Sequence, residues 1–197
     1  MIKNILTAIF FLILSCTGKA QDKSVLRFHL QGFNLVFPGV EIAYQSPIIK
    51  YAFNEEKQNK FFVSLSPVVD FYVQKKNHTG IGLMGEVNLQ YQSSRRFIYE
   101  IYGGFGMLAA ILSGEVYELN SQGDFEKSKL KGNIYQSWKT GIGISKMVST
   151  KSNKMLAYHL RVGVRHAKTP GAFIIPNVSL GVNFILNKKE SKNVEVN

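Results

Sequence analysis

The chain has 197 residues and a formal net charge of +11, with 19% charged residues, 17 Gly, 14 Phe and 9 Tyr. That length suits one domain with room for a core or a barrel. With 45% hydrophobic residues a disordered chain is excluded, because disorder needs low hydrophobicity and high charge, and abundant Gly and aromatics with few charges favour an all-β chain.

The first element in chain order is a targeting segment over residues 1–20. Lys3 gives it a positive start, Ile5–Leu14 is an apolar run, and Gly18-Lys19-Ala20 offers small residues for cleavage before Gln21. An apolar run of roughly ten residues is too short for a bilayer, which needs about 20, so the segment reads as a signal peptide. The only cysteine, Cys16, lies within it. Ordinary cleavage therefore leaves no thiol in the mature chain, whereas Ile13-Leu14-Ser15-Cys16 would allow lipidation if it served as a lipoprotein box.

Beyond the signal, apolar and polar residues alternate in segment after segment, the period of half-buried strands. Eight strands are predicted: Ser24–Phe37, Gly39–Ile48, Lys60–Gln74, Thr79–Gln92, Phe97–Ser113, Gly132–Val148, Met155–Ala167 and Phe173–Leu186. Turn chemistry marks the breaks, at Pro38-Gly39, Ile49–Asn59, "KKNH", "SSRR", "STKSN" and "KTPG". A long polar connection, Gly114–Lys131, separates the fifth and sixth strands. A single domain over 21–187 follows, with a charged tail over 188–197 that is periplasmic if both chain ends are. No apolar run after the signal is long enough for a transmembrane helix.

The faces sort by parity. In the last strand Val178, Leu180, Val182, Phe184 and Leu186 oppose Asn177, Ser179, Gly181 and Asn183, none of which is charged. The third, fourth and seventh strands sort in the same way; in the sixth, Gln136, Thr140 and Lys146 fall on the apolar parity. A water-facing strand surface would be rich in Lys and Glu. A polar face of Ser, Asn, Gln and Gly instead suits a narrow lumen with the apolar face in lipid, so the expected fold is a single antiparallel up-and-down transmembrane β-barrel of about eight strands. Aromatics on the apolar parity, Tyr44, Phe61, Tyr91, Tyr99, Tyr158 and Phe184, collect near one rim as an interfacial girdle should.

The signal, "LVFPGVEIAY" near the start and "PNVSLGVNFIL" near the end together resemble the small outer-membrane β-barrel proteins of Gram-negative bacteria. The resemblance implies an outer-membrane location, contact with membrane lipid and lipopolysaccharide, and insertion by the barrel assembly machinery. Many such barrels end on an aromatic residue used for insertion, whereas here Phe184 precedes a charged tail ending at Asn197.

The inward parity carries Arg27, Lys139, Arg161 and Arg165 against Glu41, Asp70, Glu86 and Glu100. An eight-stranded barrel is only wide enough for side chains, and charges buried there must pair. The balanced set predicts a salt-bridge plug that closes the lumen. Net charge falls from +11 to +9 once Lys3 and Lys19 leave with the signal, and cations such as Lys75, Lys76, Arg95, Arg96, Lys188 and Lys189 sit at segment ends and in connections. They form no stripe for nucleic acid and suit anionic headgroups instead.

Other motifs carry less. Gly80, Gly82 and Gly85 match a G-x-G-x-x-G spacing, but the strand alternation continues after them, so they read as small residues in a tight lumen. His29 and His159 point inward without clustered ligands for a metal. His166, in "RHAKTPGAF", faintly resembles the catalytic histidine of lipid A deacylase barrels, yet Lys168 stands where a serine would be needed, Thr169 could substitute only with different geometry, and no matching late carboxylate follows. No catalytic, metal or cofactor-binding residue is therefore expected. The expected function is structural, or surface contact through Gly114–Lys131; the alternatives are a deacylase-like barrel enzyme and a soluble periplasmic lipid-binding barrel.

Overall fold

The computed structural model describes residues 23–187 except the connecting residues 34–36, 55–58, 76–77, 113–116, 120–121, 128–131, 150–154 and 169–172. The segment read as a signal peptide, with Cys16, the 188–197 tail and the turns "STKSN" and "KTPG" lie largely or wholly outside them. Among the described residues there are ten strands: β1 (Lys23–Phe33), β2 (Phe37–Asn54), β3 (Asn59–Gln74), β4 (His78–Gln92), β5 (Phe97–Leu112), β6 (Tyr117–Leu119), β7 (Phe125–Lys127), β8 (Gly132–Ser149), β9 (Met155–Ala167) and β10 (Phe173–Asn187). Eight of them close into a barrel in the order β1-β10-β9-β8-β5-β4-β3-β2, with β1 and β10 antiparallel at the seam. No described helix is long and apolar enough to cross a membrane. A closed ladder pairs strand backbones internally and leaves no open edge, which is what a β structure needs in lipid.

The barrel is strongly staggered. Arg27 pairs with Ala43, and the row continues through Val68, Met84, Gly106, Ser137 and Ala167 to Phe173. Arg27 itself pairs across the seam with Asn183, so one circuit advances 183 − 173 = 10 residues. A stagger of this size goes with strands tilted by about 40° to the barrel axis.

Two of the expected breaks fall elsewhere. Pro38 and Gly39 lie inside β2, with Pro38 opposite Gly32 of β1, and the β1–β2 connection falls at 34–36. Pairing of β2 with β3 begins only at Gly39–Tyr72, so Pro38 sits at the rim, where its missing N–H disrupts no central ladder bond. The Ile49–Asn59 region is mostly strand: β2 runs to Asn54 after a register shift between Pro47 and Ile49. The extra residue turns Ile48 and Ile49 outward together, 40% and 55% exposed, as a bulge does when it resets the alternation. The connection between β5 and β8 also holds structure, the short β6–β7 hairpin, with Tyr117 and Phe125 exposed.

Side chains divide as the parity predicts. Phe28, Leu30, Leu83, Leu89, Ile101, Phe105, Ile142, Leu160 and Leu180 are exposed on the wall, while the buried set is dominated by Arg, Glu, Asn, Gln, Ser and His. Among the described residues, seven of the buried apolar side chains gather in two clusters, with Tyr102, Met147 and Ala157 buried apart from them. One is Ala43, Val68 and Met84 within the lumen. The other is Phe33, Tyr72, Leu108 and Ala167, with Phe37 and Ile175 packed against it, at the end opposite the chain termini.

Candidate functional site

Seven of the eight barrel strands send a charged side chain inward, because each places one on the same parity as its small and polar residues. The eight are Arg27 (β1), Glu41 (β2), Asp70 (β3), Glu86 (β4), Glu100 (β5), Lys139 (β8), and Arg161 and Arg165 (β9), and none is more than 3% exposed. Their partners lie across the lumen. The Arg27 guanidinium donates to Glu86 at 2.6 Å and to Asn88 at 3.3 Å. Lys139 Nζ reaches both Glu41 and Glu86 at 2.6 Å. Arg161 holds Glu100 at 2.5 and 2.7 Å, Glu86 at 3.2 Å, Glu41 at 3.4 Å and Asn88 at 2.8 Å, and its guanidinium lies 3.9 Å from the Tyr102 ring centroid. Arg165 makes a fork with both oxygens of Asp70. Formal charge cancels within the cluster, four against four, as a low-dielectric interior demands. Amides complete it: Gln31 donates to Glu41 at 2.5 Å, and Gln45, Gln90 and Glu100 form a chain with bonds of 2.7 and 2.6 Å.

Toward the terminal end, the structure joins two residues that are 130 positions apart in the chain (159 − 29 = 130). The His29 and His159 rings meet edge to face at 4.9 Å. Asn183 links them, its Oδ1 accepting from His29 Nε2 at 3.2 Å and its Nδ2 donating to His159 Nδ1 at 3.1 Å. His29 Nδ1 lies 3.5 Å from Glu41, and His159 Nε2 lies 3.7 Å from Glu100. Among the described residues no group of three His, Cys, Asp or Glu is placed to hold a metal ion. At the opposite end the Phe33–Tyr72 pair, with ring centroids 4.5 Å apart, caps the charged layers, and Arg165 lies 5.2 Å over Phe33. The cap was readable by parity, since Phe33, Tyr72, Leu108 and Ala167 share the face of Arg27, Asp70, Glu100 and Arg165.

The glycines divide. A Cβ on Gly80 would meet the Tyr72 ring at 2.1 Å, and one on Gly82 would meet Asp70 Oδ1 at 2.4 Å, so both make room for lumen side chains. Gly85 has open space at that position and lies on the outer parity. His166 faces the outer wall, stacked on Trp138 at 5.1 Å and 18°, with Nδ1 making no hydrogen bond. That contact gives the ring a packing role and offers it no hydroxyl to activate.

The wall accounts for two of the three polar residues on its apolar parity. Thr140 donates to the Tyr102 carbonyl at 3.0 Å, and Lys146 donates to the Arg95 carbonyl at 3.1 Å while its ammonium sits 3.8 Å over Phe97. Tyr51, Phe61, Tyr91 and Tyr99 are consecutive partners across four strands, Tyr91 and Tyr99 stack at 6.5 Å, and Phe28 meets Phe184 at 5.8 Å. This is the girdle expected where a barrel wall meets the membrane interface.

A closed ladder with an apolar wall and an ion-paired interior defines a transmembrane β-barrel of outer-membrane type. No protein-family model matches the chain, and no curated protein matches it. Among solved structures, the chain is similar to a de novo designed transmembrane β-barrel, with 13% identity over 83% of this chain and 95% of that one and a TM-score of 0.43. It is also similar to Neisserial surface protein A, NspA (10% identity, 85% and 96% covered, TM-score 0.39), and to the β domain of the Bordetella autotransporter BrkA (7%, 84% and 99%, TM-score 0.34).

Proposed function

We propose that the chain is a small outer-membrane β-barrel protein of a Gram-negative envelope, with a lumen closed by its salt-bridge plug and a structural or surface-contact role rather than a catalytic one. The observation that carries this reading is the inversion of faces: exposed Leu, Ile, Val and Phe line the wall, while the eight charges pair inside. Lipid and lipopolysaccharide are then the wall's natural partners, and the barrel assembly machinery its route of insertion. The β6–β7 hairpin, with exposed Tyr117 and Phe125, supplies the surface for contact outside the membrane. A soluble lipid carrier would need the apolar parity inside. A deacylase would need a hydroxyl beside His166, and the ring's contact among the described residues is with Trp138.

Cell fractionation combined with gel mobility tests the reading. The protein should sediment with the outer membrane, resist a salt wash and change mobility on boiling, because a closed ladder survives detergent until heated. Release by salt, with the same mobility before and after boiling, would refute the membrane assignment.

A further inference from the structure

The outer wall has a hollow of about 580 Å³ lined chiefly by Phe61, Tyr91, Tyr99, Ile142, Leu160 and Val162, with Gly143 and the buried, Arg161-paired Glu100 also at its floor. Its size falls within the roughly 300–1,000 Å³ of small-ligand sites, and its lining is almost wholly apolar.

The hollow abuts a basic turn. Tyr91 and Tyr99 flank residues 93–96, Ser-Ser-Arg-Arg, which join β4 to β5 at the terminal end of the barrel. Arg95 and Arg96 are both exposed and make no ion pair among the described residues. Lys146 brings a third cation to the same turn, through its bond to the Arg95 carbonyl and its seat over Phe97.

The backbone supplies an independent observation. The turn is held by Ser93 N–H to the Phe97 carbonyl at 2.8 Å and Arg96 N–H to the Ser93 carbonyl at 3.0 Å. Arg96 has φ of 63°, the one positive φ of a non-glycine among the described residues. That position of a hairpin ordinarily takes Gly or Asn, whose side chains tolerate it. An arginine kept in an unfavourable backbone conformation points to a use for its side chain.

We infer that this corner of the wall is a binding site for an anionic glycerophospholipid, with an acyl chain in the Phe61–Tyr99–Leu160 hollow and the phosphate against Arg95, Arg96 and Lys146. Charge complementarity selects this occupant over a zwitterionic lipid or a second copy of the chain, because the cations stand where a headgroup would lie above the hollow. The inference rests on the reading of the barrel as bilayer-spanning.

The test uses the full-length protein in detergent micelles, with lipid retention measured by native mass spectrometry. Phosphatidylglycerol should be retained at least tenfold more tightly than phosphatidylcholine. Arg95→Gln combined with Arg96→Gly should weaken phosphatidylglycerol by roughly 25-fold, each surface cation contributing about a factor of five, and leave phosphatidylcholine unchanged. The double variant should remain folded, since Gly relieves the backbone at residue 96, and unheated gel mobility confirms this. Val162→Trp, which fills the hollow, should weaken both lipids. Equal retention of the two lipids by a protein with normal heat-dependent mobility would overturn the lipid site alone. So would displacement by soluble glycerophosphoglycerol, which marks a chainless anion site, or a dimer by light scattering that Val162→Trp abolishes. A protein that never enters micelles would overturn the bilayer-spanning reading as well.

Discussion

Replacing Arg161 by Met removes one cation from the lumen and leaves three facing four carboxylates. The cost falls unevenly. Glu86 keeps Arg27 and Lys139, each at 2.6 Å, and Glu41 keeps Lys139 at 2.6 Å with Gln31 at 2.5 Å. Glu100 loses its arginine and retains only the Gln90 amide at 2.6 Å and the His159 ring at 3.7 Å. Stranding one buried carboxylate costs about 3–5 kcal/mol. Adding Glu100→Gln restores neutrality and should bring the loss back to about 1–2 kcal/mol, whereas Glu86→Gln should recover much less, because Glu86 was never left alone. Urea unfolding in micelles measures each variant, followed by unheated gel mobility and by the fluorescence of Trp138, the only tryptophan. A single-variant loss below about 1 kcal/mol, or equal rescue from Glu86 and Glu100, would refute the assignment of Glu100 as the dependent partner.

Leu180, on the wall and 61% exposed, should tolerate Arg poorly, with Leu180→Arg costing about 2–4 kcal/mol in vesicle unfolding; a silent substitution would reverse inside and outside. Asn183→Ala should cost about 1–3 kcal/mol, since it leaves nitrogens of His29 and His159 without their shared partner; sequence parity alone would have predicted a mild effect at this lumen-side amide, and an unchanged midpoint would restore that expectation. Gly82→Ala should destabilise by about 1–3 kcal/mol by pushing Asp70 off Arg165, while Gly85→Ala, into open space, should stay within about 0.5 kcal/mol; matched midpoints for the two would contradict the lumen packing. In planar bilayers the unmodified protein should show little steady conductance, and large stable single-channel currents would make the barrel a small pore.

Alternation made the strands and their faces legible, because a period of two is written directly into a half-buried strand. It also placed every one of Arg27, Glu41, Asp70, Glu86, Glu100, Lys139, Arg161 and Arg165 on the inward face, where the structure finds them. Pairing was not legible. Arg161 and Glu41 are 120 residues apart and Arg165 and Asp70 are 95 apart, so their contact depends on the stagger of the whole barrel, which no local pattern reports. The same limit hid the contact of His29 with His159. Pro38-Gly39 misled for a different reason: a proline breaks a strand by lacking a ladder donor, and at the rim of a barrel there is no central ladder bond to break. Pro47 lies at a bulge, where an irregular register absorbs it.

The routes of the ion pairs bear on how the chain assembles. Arg27 stands on the first strand and is answered from the fourth, and Arg161 on the ninth is answered from the second, fourth and fifth. Only the β1–β2 hairpin holds a pair among the eight charges, a loose one of Arg27 with Glu41 at 3.8 Å; the tight pairs all join strands that are not neighbours in the sheet. A half-made sheet would carry those charges unpaired into lipid, at a cost that rises with every strand inserted. Intermediates are thereby penalised until the seam between β1 and β10 closes, and the interior contacts that matter most are of long sequence separation, which makes folding slow and cooperative. The charged interior thus acts as a checkpoint on the order of assembly: the barrel is stable when complete and unstable in any part.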